Sequence, residues 1–392
     1  MTVVTGLDRI ATDAGHIVRG RQVALLAHPA SVDASLRPAH IVLHEAGASV
    51  AVLLGPEHGL GGEAQDMEGV AERSRQSGPR VFSLYGETEA SLRPTAEMLA
   101  DVDLLVVDLQ DVGARYYTFV WSAAMCLEVC AEIGLPMVVL DRPNPLGGLD
   151  VEGPGIDARY RSFVGHHDVA TRHGLTIAEV LMLYAHDLGL RSSLEVVEMR
   201  GYRRDQWFEE TGLPWVLPSP NMPTPETALV YPGMCLIEGT NVSEGRGTTR
   251  PFELVGAPWV DGDALVDALE TAELPGCAFR AVRFKPMFHK HGGTTCGGVQ
   301  THVTDRRAFR PLLTGVAMVQ ALFQLGQSGR FLWRTEAYEF VEDRPAIDLL
   351  AGGPWLREGI EAGRSIEALR SSWASQEDAF RHRRENILLY KV

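Results

Sequence analysis

Leu104-Leu105-Val106-Val107-Asp108-Leu109-Gln110-Asp111 is the stretch on which the fold turns. Four consecutive apolar residues break abruptly into carboxylates and an amide. A strand buried on both faces reads as a continuous apolar run, and in open α/β sheets ligands sit beyond the carboxyl ends of such strands. The same grammar recurs on either side. Ala48–Leu54 breaks into Gly55-Pro56-Glu57-His58-Gly59, and Met137–Leu140 into Asp141-Arg142-Pro143-Asn144-Pro145. Three units that deliver carboxylates, His and Arg to one rim suggest an active site.

Working outward, strand-like and helix-like stretches alternate. Gln22–Ala27, Val50–Leu54, Arg80–Leu84, Leu104–Val107, Met137–Leu140 and Leu194–Met199 read as strands. Ala34–Ala46, Thr95–Leu99, Tyr117–Ile133 and Thr176–Leu188 read as helices. Gly134 is placed as a C-cap, and Thr176 with Glu179 as a capping box. This alternation predicts a mainly parallel α/β sheet with right-handed crossovers. Gly212–Pro225 holds Pro214, Pro218, Pro220, Pro223 and Pro225, so it is expected to be a rigid extended loop. It leads to a domain boundary near residue 230, giving domains 1–230 and 231–392. The second domain reads as smaller and α+β. Helices are expected at Asp263–Glu273, Phe309–Leu325 and Ser365–Arg383, and strands at Ala278–Phe284 and Gly298–Val303.

Composition narrows the function. The 392 residues carry a net charge of −15, which argues against a nucleic-acid surface but leaves room for a local Arg cluster that binds an anion. No apolar run reaches the roughly 20 residues of a bilayer helix. The N-terminus lacks a signal-peptide pattern, so a cytoplasmic protein without a membrane partner is expected. The cysteines (Cys126, Cys130, Cys235, Cys277, Cys296) are odd in number and scattered, and no paired C-x-x-C knuckle is present. The His residues are dispersed without His-Glu-x-x-His, so no metal is assigned. Neither a phosphate-cradling glycine motif nor a Gly-x-Ser-x-Gly elbow occurs, and no cofactor is assigned.

Four segments are candidates for chemistry. In the first, Glu57 stands at a strand end and Glu63 follows across a Gly-rich loop, with His58 between them. Two carboxylates can divide acid and base roles when their surroundings separate their pKa values. The alternative is a helix cap for Glu57 and a solvated loop charge for Glu63. The second holds Asp108, Gln110, Asp111 and Arg115 with Tyr116-Tyr117, where Asp108 can equally be a buried cap. The third is Asp141, Arg142 and Asn144 between prolines, where Arg142 can instead pair with Asp108 or Asp141. The fourth, Glu238–Pro251, concentrates Asn241, Glu244 and Arg246 among glycines and hydroxyls, a set suited to sugar hydroxyls or a carboxylate. Asn221, in Pro218-Ser219-Pro220-Asn221-Met222-Pro223-Thr224, is stiffly held and either faces the same cleft or belongs to a structural connector.

With these motifs quoted, the chain resembles the exo-β-N-acetylmuramidase family, the NamZ-type glycoside hydrolases. Gly55-Pro56-Glu57-His58-Gly59, Ser83-Leu84-Tyr85-Gly86 and Asp108–Thr118 carry the resemblance, as do Leu140–Pro145, Pro218–Thr224 and Glu238–Gly247, all in one order. The resemblance implies a Rossmann-like N-terminal domain, a smaller C-terminal domain and an active-site cleft between them. It implies removal of terminal N-acetylmuramic acid from the non-reducing end of peptidoglycan fragments, so the expected partner is a small muramic-acid-containing saccharide. Glu57 and Glu63 are the expected catalytic pair. A carboxyl separation of roughly 5 Å would mean retention and roughly 6.5–9.5 Å inversion, and the sugar's acetamido group offers a third route. His58, Tyr85, Asp108, Gln110, Arg115, Tyr116, Asp141, Arg142, Asn144, Asn221, Asn241, Glu244 and Arg246 are expected to bind substrate. Arg115, Arg142 or Arg246 is the expected partner of the lactyl carboxylate. Two rival readings remain: a non-catalytic muropeptide or sugar binder, and a metal-dependent hydrolase of another ester or amide.

Overall fold

The computed structural model describes residues 2–62, 64–65, 68, 78–190, 194–327 and 329–392. Six strands, β1 (Gln22–Ala27), β2 (Ser49–Gly55), β3 (Arg80–Ser83), β4 (Leu104–Asp108), β5 (Met137–Leu140) and β6 (Leu194–Val197), form one sheet. Its order is β3-β2-β1-β4-β5-β6, and every pairing is parallel. This is the doubly wound Rossmann order, in which the chain reverses direction between β1 and β4. All the side chains of β4 and β5 are buried. Their uninterrupted apolar runs are therefore what a sheet covered on both faces requires.

Most predicted elements form close to their expected limits, and the departures have local causes. The helix expected from Ala34 begins at Ala39. Pro38 disfavours helical geometry in the residue before it, and the Asp33 carboxylate takes the N–H groups of Ser35 and Arg37 into a turn. Thr95–Leu99 forms turns instead of a helix, since so short a segment gains little from helix nucleation. Ser365–Arg383 is two helices, Ile366–Ser371 and Ala374–Arg384. The break at Ser372-Trp373 turns the indole of Trp373 inward against Trp355, with ring centroids 5.1 Å apart. Thr176 and Glu179 form the expected capping box, and Gly134 ends its helix in the left-handed conformation at φ 72°.

A second sheet, antiparallel in the order β7-β9-β8, is built from β7 (Leu254–Ala257), β8 (Cys277–Phe284) and β9 (Cys296–Val303). Residue 230 lies inside the helix Pro225–Met234. That helix packs against Pro311–Leu325 at a point of bare backbone. A Cβ on Gly233 would stand 1.9 Å from the Pro311 carbonyl oxygen, and one on Gly315 would stand 2.2 Å from that of Gly233. Glu152, from the first part of the chain, accepts the N–H groups of Leu312 and Leu313 at the start of the same helix. The C-terminal segment returns to the parallel sheet, where Tyr390 donates to Asp141 at 2.7 Å and Arg384 to the carbonyls of His173, Gly174 and Leu149. These contacts join the two sheets into one framework with a cleft at their junction.

Candidate active site

The cleft opens beyond the carboxyl end of β2. Gly55 ends that strand, and the chain folds back so sharply that a Cβ on Gly55 would lie 2.5 Å from the Leu60 nitrogen. His58 and Gly59 both take positive φ, 68° and 76°, a conformation that few L-residues other than Gly adopt. This turn sets Glu57 at the base of the cleft, 6% exposed. Thr118, which precedes the helix Phe119–Ile133, donates its hydroxyl to Glu57 Oε2 at 2.5 Å. His58 lines the same wall, with Nδ1 2.9 Å from the Ala64 carbonyl oxygen and its ring edge-on to Phe119.

The opposite wall comes from the second half of the chain. Glu238, on the 3₁₀ turn Cys235–Gly239, receives Arg246 Nη2 on Oε1 and the Tyr338 hydroxyl on Oε2, both at 2.7 Å. The Arg246 guanidinium lies 5.2 Å from the Phe252 ring centroid. Behind it is Glu244, fully buried between Lys290 at 2.9 Å and His289 at 3.1 Å. Burial alone would raise the Glu244 carboxyl, but Lys290, His289 and Arg246 together hold it well below the usual range. Glu244 therefore stays ionised and fixes Lys290 and Arg246 around it. Glu339 also lines the cleft and accepts from Tyr85 at 3.0 Å. Asn221 also lines the cleft and donates to Gln65.

Among the residues expected from sequence, the structure gathers Glu57, His58, Tyr116, Asn221 and Arg246 on this cleft, with Tyr85 and Glu244 bonded to residues that line it. Glu63 falls outside the described residues. The remaining candidates are committed elsewhere. Arg142 makes a two-pronged ion pair with Asp108 at 2.6 and 2.8 Å and also donates to the Val32 carbonyl. This is one of the structural pairings the sequence offered as an alternative. Burial pushes the Asp108 carboxyl up, against the pull of that guanidinium. Gln110 donates to the carbonyls of Asp111 and Pro143, and Asn144 braces Leu146 and Leu175.

Arg115 is fully buried and donates to the carbonyls of Pro154, Val169 and Leu350. Burial lowers its pKa to about 10. Asp141 accepts from Tyr390 and from the Ala178 N–H. Asn241 bridges to the backbone of Arg330 and Leu332. These side chains brace the loops beyond the strand ends and lie away from the cleft. The strand-end pattern is the same for bracing and for ligand-facing residues, so sequence could not separate them.

The sequence reading did not single out Thr118, Glu238, Tyr338 or Glu339. Thr118 and Glu238 stand inside motifs already quoted, and their proximity to Glu57 and Arg246 was the missing signal. Tyr338 and Glu339 come from an irregular segment with no periodic pattern. Only the tertiary fold places them on this wall.

Residues 23–226 match the domain described as exo-beta-N-acetylmuramidase NamZ, N-terminal, and residues 229–390 match its C-terminal counterpart. The chain is 42% identical over 390 residues to the peptidoglycan beta-N-acetylmuramidase NamZ of Bacillus subtilis (strain 168), covering 99% of this chain and 91% of that one. Crystal structures of two DUF1343 family proteins from Bacteroides fragilis NCTC 9343 are also similar. One has a TM-score of 0.88 at 32% identity, with 99% of each chain covered. The other has a TM-score of 0.75 at 25% identity, with 100% of this chain and 99% of that one covered. The chain belongs to the NamZ family of exo-β-N-acetylmuramidases.

Proposed function

We propose that the protein is an exo-acting glycoside hydrolase that removes terminal β-linked N-acetylmuramic acid from the non-reducing end of peptidoglycan fragments, in cell-wall turnover or recycling. The observation that carries this reading is Glu57, a buried carboxyl group at the base of a cleft, oriented by the Thr118 hydroxyl. A general acid or base must be held within reach of the proton it transfers, and burial and hydrogen bonding tune its affinity for that proton. The B. subtilis relative, which carries the muramidase name, supports the substrate class.

Glu57 is assigned the acid/base role and Glu63 that of its carboxylate partner. Arg246 is assigned the lactyl carboxylate, because it lines the cleft, whereas Arg115 and Arg142 lie away from it. Among the described residues no helix is long and apolar enough to cross a membrane. Action in the cytoplasm on imported muramic-acid-containing sugars completes the proposal, and cell fractionation tests that part.

The enzymatic test is release of 4-nitrophenol from 4-nitrophenyl β-N-acetylmuramide, run beside the matching N-acetylglucosaminide. Release from the muramide alone is expected, falling about 10²- to 10⁴-fold in Glu57→Gln. Near-wild-type turnover by folded Glu57→Gln would overturn the assignment of Glu57. No release from either sugar by the folded wild type would overturn the hydrolase reading.

A further inference from the structure

Tyr117 lines the cleft beside Glu57 and Thr118 and is 5% exposed, yet its buried hydroxyl makes no hydrogen bond. The Ser219 hydroxyl lies close by but outside bonding geometry. The hydroxyls of Tyr116, Thr118 and Tyr338 are engaged. Tyr116 donates to the Pro232 carbonyl at 2.9 Å, Thr118 to Glu57, and Tyr338 across the cleft to Glu238. The ring of Tyr117 is pinned, with centroids 4.7 Å from Phe119 and 6.0 Å from Tyr231, so the hydroxyl cannot swing to another partner without disturbing that packing. Buried polar groups in folded proteins are nearly always paired, and one left unpaired costs stability unless a ligand completes it.

We propose that the Tyr117 hydroxyl is a substrate-binding donor that takes a neutral acceptor oxygen of the bound sugar, its acetamido carbonyl. This rests on the muramidase reading above. Burial pushes the Tyr117 phenol well up, so it keeps its proton and can donate at any working pH. The charge of the cleft selects the acceptor. Glu57, Glu238 and Glu339 face it, and Arg246 is paired with Glu238. With the lactyl carboxylate assigned to Arg246, the neutral phenol is left to pair with an uncharged acceptor, which the acetamido carbonyl supplies. Such a contact would also orient the acetamido group relative to the anomeric carbon, and loss of positioning lowers turnover as well as affinity.

Tyr117→Phe removes the oxygen and keeps the ring. On 4-nitrophenyl β-N-acetylmuramide its kcat/KM is expected to fall about 10- to 100-fold, with a melting temperature equal to or above that of the wild type. Weakening the acetamido acceptor, by replacing N-acetyl with N-trifluoroacetyl, should slow the wild type by a larger factor than it slows Tyr117→Phe. Unchanged kcat/KM would overturn the proposal, and so would a lowered melting temperature that accounts for the lost activity. An equal response of both proteins to the trifluoroacetyl substrate would overturn the acetamido assignment. An inactive wild type would overturn the muramidase reading and this inference with it, whereas an active wild type matched by an equally active variant overturns the inference alone.

Discussion

Thr118 and Glu57 meet through a 2.5 Å hydrogen bond, with the threonine hydroxyl as donor. The contact ties the segment after β4 to the loop after β2, across the two strands that flank β1 in the sheet.

A hydrogen bond to a catalytic carboxyl group holds it in one orientation, and loss of positioning lowers turnover. Thr118→Val keeps the shape of the side chain and removes the donor to Glu57. The kcat/KM on the muramide is expected to fall about 10-fold, which is about 1.4 kcal/mol. Steady-state kinetics on the folded variant check this, and turnover at the wild-type level would show that Thr118 does not position Glu57.

Gly315 and Gly233 bring two helices into backbone contact, and one of those helices carries Tyr231 into the cleft wall. Gly315→Ala forces the helices apart. Overpacking of this kind costs about 1–3 kcal/mol, so a melting temperature lower by several degrees is expected, with a raised KM as Tyr231 shifts. An unaltered melting curve would mean that the two helices do not meet as closely as described.

Burial pushes the Asp141 carboxyl up to about 7, against the pull of the Tyr390 hydroxyl and the Ala178 N–H. The unfolded value is about 3.9. Between those limits the folded state holds a proton that the unfolded state has released, so this group's contribution falls as pH rises, by about 1.4 kcal/mol per unit. Asp141→Asn removes the dependence. Melting temperatures from pH 4 to 8 should show the variant gaining on the wild type as pH rises towards 7. Parallel curves would sink the assignment.

The sequence alone determined the parallel sheet. Apolar runs such as Leu104–Val107 and Met137–Leu140 must be buried on both faces, and that requirement is local and periodic. Caps at Thr176 and Gly134 were equally legible, because a cap depends on residues a few positions apart. It also determined that Glu57 stands at a strand end, where α/β sheets place their ligands. The tertiary structure decided which polar strand-end residues face the cleft and which brace the framework. Asp108, Arg142 and Asp141 read just like Glu57 in sequence, but partners 34 to 249 positions away consume them. It also decided the far wall, where Glu238, Arg246, Tyr338 and Glu339 are assembled by packing between the two sheets. Side-chain pairing across such separations depends on how elements dock in three dimensions, and no local pattern in the chain encodes it.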